Sequence, residues 1–268
     1  MKIAWLTDIH INFLEKNERD IFYKAVAAQQ SDAILITGDI AEAPSVSFLL
    51  QEMQAALNIP IYFVLGNHDY YKGYVADVRQ EIAVLTKTSA YLRWLPVLEA
   101  QQLSNDIYLV GQDGWADGRL GDYANSNLVL NDCRFIRDLI QQHNIGKNNL
   151  LAKMMELGDI DANNLQQDLN EAINKGAHKI IIATHVPPFK ESCYYEGKMS
   201  TDDYLPYFSS KATGDVLSQF ATTYPEVDFL VFCGHTHAES FYQPFSNLTV
   251  KTGSAKYGHP KVQEVLEL

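Results

Sequence analysis

Apolar runs and helix-periodic stretches alternate along the chain from its first residues. Lys2 to Thr7 is a short apolar run, and Asn17 to Ala28 follows with helical spacing and acidic residues in its first turn. Ala33 to Thr37 is a second apolar strand, ending at Gly38-Asp39. Pro44 suits a first helical position, and Phe48, Leu49, Met53, Ala56 and Leu57 then fall on one face. Ile61 to Leu65 is a third strand, ending at Gly66-Asn67. Asp8 to Asp39 spans 31 residues and Asp39 to Asn67 spans 28, close to the roughly 30 residues of a βαβ unit. The pattern predicts three parallel strands whose C-terminal ends share one edge. In open α/β sheets that edge is where chemistry is placed.

Beyond residue 70, helices are expected over Val75 to Leu85, Asp132 to Gln141, Leu150 to Leu157, Asn164 to Asn174 and Gly214 to Thr222. Two short strands are expected between Trp94 and Asp117, the clearer at Ile107 to Val110. Buried strands follow at Lys179 to Thr184 and Phe229 to Cys233. The tail runs Ser240 to Phe245, Leu248 to Thr252 and Val262 to Leu266 read as antiparallel strands. No repeat or linker interrupts the series, so residues 1–268 are expected to form one domain.

Composition narrows the class. With 47% hydrophobic and 20% charged residues, the chain is neither disordered nor collagen-like. Its length supports a core without disulfide or structural-metal staples. Cys133, Cys193 and Cys233 form no CxxC pair and read as reduced thiols. The opening MKIAWL meets Thr7 and Asp8 before a signal sequence can build, and no apolar run is long enough for a membrane span. The expectation is a soluble, cytoplasmic α/β protein. A net charge of −12 disfavours sequence-independent nucleic-acid binding.

The candidate chemistry lies at the strand ends. His10, His68, His185, His235 and His237 all follow apolar runs, beside Asp8, Asp39, Asn67 and Asp69. Oxygen and imidazole donors without sulfur suit manganese, iron, zinc or nickel better than a thiolate zinc site. If the strands continue, Asp8 and His10 share a face, and so do His235 and His237. Gly38, Gly66 and Gly234 each precede a ligand candidate, where a missing side chain permits close approach. Each fragment alone has a plain structural use as a cap or turn. Five in order, each at a strand end, favour a metal site.

Asp8-x-His10, Gly38-Asp39, Gly66-Asn67-His68-Asp69, His185 and Gly234-His235-x-His237 resemble, in order, the five motifs of the calcineurin-like metallophosphoesterases. The resemblance implies an α/β fold of two mixed β-sheets packed as a sandwich and flanked by helices in four layers. It implies two divalent or mixed-valence transition-metal ions, Mn, Fe, Zn or Ni, sharing Asp39. One would be held by Asp8, His10, Asp39 and His237, the other by Asp39, Asn67, His185 and His235. A hydroxide between them would attack phosphorus, with His68 as general acid and Asp69 orienting it. Two such ions would make the centre locally positive within an acidic chain.

Substrate choice is less marked. Gly38-Asp39 continues as Ile-Ala-Glu-Ala, unlike the Asp-Arg-Gly of the serine/threonine phosphoprotein phosphatases, and resembles bacterial phosphodiesterases of the cyclic-nucleotide type. A small-molecule phosphodiester is therefore expected in preference to a monoester. A nuclease of the same superfamily and a non-catalytic scaffold are the alternatives. Insertions near residues 114–164 and 190–213 are expected to shape specificity. The second carries Tyr194, Tyr195, Tyr204, Tyr207 and Phe208, which suit either stacking on substrate or packing a cap. Arg119 and Lys190 read as solvated loop charges.

Overall fold

A computed structural model describes residues 1–268. Its strands, in chain order, are β1 (Lys2–Leu6), β2 (Ala33–Thr37), β3 (Ile61–Val64), β4 (Leu92–Trp94), β5 (Gln101–Gln102), β6 (Ile107–Gly111), β7 (Lys179–Ala183), β8 (Tyr194–Tyr195), β9 (Lys198–Met199), β10 (Asp228–Cys233), β11 (Ser240–Phe245), β12 (Leu248–Thr252) and β13 (Glu264–Glu267). One sheet has the order β13-β1-β2-β3-β4, the other β11-β12-β10-β7-β6-β5, and β8 and β9 form a small hairpin. The strands β1 to β4 are mutually parallel, as the spacing predicts for β1 to β3, with β4 an additional parallel strand and β13 antiparallel at the other edge. In the second sheet β12, β10, β7 and β6 are parallel, and β11 and β5 close the edges antiparallel.

The strands are apolar throughout because both faces of each sheet are covered. Ile3, Trp5, Leu35 and Val64 pack between the sheets against Leu109, Ile181, Ala183 and Phe232. The rings of Trp5 and Phe232 lie 4.6 Å apart there. On its outer face the first sheet places Leu6, Ile36 and Phe63 against Phe22, Leu50, Met53 and Ile82 from the helices Lys16–Ala27, Ala43–Leu57 and Val75–Thr88. The second sheet places Ile180, Ile182 and Val231 against Leu165, Leu169, Leu217 and Phe220. These layers make the helix–sheet–sheet–helix sandwich.

Two expectations about helices change. Leu150 to Leu157 and Asn164 to Asn174 belong to one helix, Lys147–Asn174. The polar stretch between them stays helical because Asp161 is buried, where both its oxygens meet the Arg79 guanidinium at 2.8 and 2.9 Å. Conversely, the helix expected over Asp132 to Gln141 breaks at Ile136, whose backbone is extended. The break lets the backbone turn and hydrogen-bond the segment after His68: Lys72 N–H donates to Phe135 O at 2.7 Å, and Arg137 N–H to Gly73 O at 3.1 Å.

The tail also divides. Its first two strands extend the second sheet, whereas β13 pairs with β1 in the first. The connection between them carries Tyr257 across the shared edge where β1, β2, β3, β7 and β10 end. No helix is long and apolar enough to cross a membrane.

Candidate metal centre

The strands stop two to four residues before the candidate ligands, so those residues stand on turns. Asp8, His10, Asp39, His235 and His237 all adopt left-handed backbone, with φ between 41° and 70°. Such conformations are uncommon outside glycine and concentrate where surrounding structure holds a functional geometry. This corrects the expectation that Asp8 with His10, and His235 with His237, share a face by continuing a strand. Glycine serves the close approach. A Cβ on Gly66 would lie 2.3 Å from an Asp39 carboxylate oxygen, and one on Gly234 would lie 2.0 Å from Asp8.

The side chains converge in two groups around Asp39. The ligand atoms of Asp8, His10, Asp39 and His237 all lie within 4.8 Å of one another. There His237 Nε2 is 3.3 Å from Asp8 Oδ1, and His10 Nε2 is 3.7 Å from Asp39 Oδ2. On the other side, His185 Nε2 is 3.4 Å from Asp39 Oδ1, and Asn67 Oδ1 is 2.9 Å from both His185 Nε2 and His235 Nδ1. The two oxygens of Asp39 thus face different groups.

The second group has a chemical peculiarity. His185 Nδ1 meets the Thr37 carbonyl at 2.8 Å and His235 Nε2 meets the Tyr207 carbonyl at 2.9 Å. A carbonyl only accepts, so each outer nitrogen carries the proton. Burial holds both imidazoles below their ordinary pKa, His235 down to about 4, so each has only that one proton. The inner nitrogens are therefore bare, and both point at an amide oxygen that is also an acceptor. Three lone pairs converge with no hydrogen between them, an arrangement that fits a cation. The outer hydrogen bonds are those that commonly fix ring tautomers around metals.

The first group shows the same want of positive charge. Burial pushes the Asp39 carboxyl well above the usual carboxylate range, and the charges of Asp8 and Asp69 push it further. Burial also opposes the Asp8 carboxylate, but the hydrogen bond and charge of His237 outweigh it and hold that group low. His10 is kept neutral, its pKa held down to about 3 by burial. Two buried carboxylates beside the imidazoles of His10 and His237 match the hard-oxygen and imidazole donor set of first-row transition metals.

A family model described as calcineurin-like phosphoesterase matches residues 1–239. The chain belongs to that family. It is therefore a metal-dependent phosphoesterase, and the family's centre is dinuclear. No curated protein matches the sequence. Solved structures share its fold: a dimetal phosphatase from Danio rerio is 14% identical with a TM-score of 0.58, the alignment covering 95% of this chain and 87% of that one. The phosphopantetheinyl hydrolase of Mycobacterium tuberculosis is 13% identical with a TM-score of 0.54, covering 96% and 89%. A protein from Thermus thermophilus is 12% identical with a TM-score of 0.53, covering 94% and 89%.

The structure revises one role that the sequence suggested. Asp69 does not orient His68. Its carboxylate accepts the backbone N–H groups of Ile40, Ala41 and Gly66 at 2.7 to 3.0 Å, tying the turn after β2 to the turn after β3. His68 Nδ1 is buried without a partner. The local motif places Asp69 next to His68 in sequence, and the tight turn then sends the two side chains opposite ways. Asp69→Ala would strand three buried N–H groups, at about 1–3 kcal/mol for each left unsatisfied. It is expected to lower the unfolding free energy of the metal-free protein by about 3 kcal/mol in a urea titration. A change below about 1 kcal/mol would contradict the stapling role.

The remaining expected residues separate clearly. Tyr195 and Phe208 line a cleft of about 250 Å³ beside the metal-site residues. Tyr204 stacks on Tyr195, whereas Tyr207 is buried and hydrogen-bonds the Leu128 carbonyl. Tyr194 does not reach the cleft. Arg119 pairs with Asp117 and Asp159, Lys190 lies near Glu191, and neither enters it. Among the cleft residues that carried no signal in the sequence are Tyr71, Asp132 and Tyr257.

Proposed function

We propose that this chain hydrolyses small-molecule phosphodiesters, with one ion held by Asp8, His10, Asp39 and His237 and the other by Asp39, Asn67, His185 and His235. The observation that carries the diester preference is the lining of the cleft. It contains no Lys or Arg, and beyond the Asp39 carboxylate it adds a second, Asp132. A phosphomonoester brings about −1.5 to −2 charges at neutral pH, and a diester brings one. With no side-chain cation to meet the extra charge and Asp132 opposing it, the monoester is the poorer guest. The absence of a basic track also disfavours a nucleic-acid strand. Tyr71, Tyr195, Phe208 and Tyr257 offer apolar faces to the groups on either side of a diester.

Bound ions supply Lewis acidity toward phosphoryl oxygens and a water of lowered pKa. The protein's own contribution is proton delivery and orientation. His68 is held between Tyr71, stacked at 4.2 Å, and His10, edge-on at 4.6 Å. Because its Nδ1 has no acceptor, the imidazole proton belongs on Nε2, which faces Tyr257 Oη at 3.4 Å and Asp39 Oδ2 at 4.0 Å. That proton is positioned for the leaving oxygen.

The test is turnover of bis(4-nitrophenyl) phosphate and 4-nitrophenyl phosphate by metal-stripped protein reloaded with Mn²⁺. We expect kcat/KM for the diester to exceed that for the monoester by about tenfold or more, a difference of about 1.4 kcal/mol. Monoester preference would overturn the reading.

A further inference from the structure

The second group of ligands contains a hazard that its own chemistry creates. The two ends of the Asn67 amide are almost equal in size. If the amide flipped, its two N–H bonds would meet the bare nitrogens of His185 and His235, both 2.9 Å away. That state would satisfy both imidazoles without a cation and would point hydrogens at the position the cation needs. Something must disfavour it.

We propose that Asp132 is the positioning residue that holds the Asn67 amide in its metal-competent orientation, assisted by Tyr71. This rests on the reading that Asn67, His185 and His235 share an ion. Asn67 Nδ2 donates to Asp132 Oδ1 at 2.7 Å, and the Tyr71 hydroxyl donates to the same oxygen at 2.8 Å. An ionised carboxylate only accepts, so a flipped amide would set its oxygen against the Asp132 oxygen and lose a charge-assisted hydrogen bond. The turn that carries Asp132 is itself fixed, since the backbone bonds of Lys72 and Arg137 clasp residues 132–137 to the segment following His68. Val75 N–H adds a bond to Asp138 Oδ2 at 2.8 Å. Asp132 comes from the 114–164 segment rather than from any of the motifs that furnish the ligands. The inserted segment therefore sets the second ion's occupancy as well as shaping the cleft.

Metal binding tests this without reference to turnover. Mn²⁺ binding to the metal-stripped full chain would be followed by equilibrium dialysis with elemental analysis, for the wild type, Asp132→Leu and Asp132→Asn. The wild type is expected to take two ions. In Asp132→Leu the first ion should bind as before, showing that the fold is intact, while the second weakens about 10- to 100-fold, the range for lost support of a ligand. Asp132→Asn offers a donor as well as an acceptor, so either orientation of Asn67 finds a partner there, and it should also weaken the second ion, by no more than Asp132→Leu does. Unweakened binding of the second ion to Asp132→Leu would overturn the proposal. So would an Asp132→Asn that binds the second ion as tightly as wild type, because an amide at that position does not oppose the flipped Asn67. A wild type that binds one ion would instead sink the two-ion reading on which the proposal rests.

Discussion

Asp39→Asn is expected to abolish the binding of both ions at once and to lower kcat/KM at least about a thousandfold, or about 4 kcal/mol of transition-state stabilisation. The reason is geometric. Asp39 Oδ1 faces His185 and Oδ2 faces His10, so this one carboxylate belongs to both groups. The substitution keeps the shape and an acceptor for the His68 N–H, which donates to Asp39 Oδ1 at 2.9 Å. What is lost is the charge and one of the two oxygens, since an amide NH2 donates and cannot hold a cation.

A second consequence separates a metal role from a structural one. In the metal-free protein Asp39 is destabilised as an anion by burial, then by Asp8 and Asp69, which is why its pKa rises. A raised carboxyl pKa costs folded-state stability at pH above that of the unfolded chain, so the neutral amide removes a penalty present at pH 7. Metal-free Asp39→Asn should therefore melt at or above the wild-type temperature. The wild type should gain stability on Mn²⁺ addition and the variant should not, because only a species that binds the native state shifts the melt. A variant that melts lower without metal, yet still responds to Mn²⁺, would remove Asp39 from the shared position.

The candidate ligands could be picked from the sequence for a reason that the fold explains. Each follows an apolar run buried on both faces, and parallel strands in two facing sheets bring their C-terminal ends to one edge. Position along the chain thus became position in space. The same logic failed where a side chain's partner comes from a distant segment. Asp161 looks like a helix interruption until Arg79 is placed beside it. Asp132 looks like an ordinary helix-start residue until its turn is clasped to the segment after His68. Tyr257 follows a change of sheets between β12 and β13 that no local pattern announces. Asp69 shows the opposite error, in which adjacency to His68 suggested a partnership that the tightly turned backbone does not permit.

With Asp69 committed to the backbone, His68 has no carboxylate within hydrogen-bond distance of its ring, Asp39 Oδ2 lying 4.0 Å from Nε2, and this sharpens what its replacement should do. Burial, and then the charges of His10 and His185, hold its pKa down to about 2, so the free protein presents a neutral ring whose Nε2–H can hydrogen-bond the leaving oxygen. Giving a proton outright requires the ring to take one up first, which the negative charge of a bound phosphoester favours. His68→Ala should keep both ions, because its imidazole nitrogens belong to neither ligand group. It should lower kcat about 10²- to 10³-fold, within the range that a positioned proton donor supplies. The loss should depend on what departs. A 4-nitrophenolate leaves readily as an anion, whereas an alkoxide needs the proton, so kcat should fall further for methyl 4-nitrophenyl esters cleaved at the methyl side, or for dialkyl analogues, than for bis(4-nitrophenyl) phosphate. A ring that only packed between Tyr71 and His10 would lose activity by the same factor for every leaving group. Equal factors, or an unchanged kcat at full Mn²⁺ loading, would remove His68 from the proton transfer while leaving the metal assignment standing.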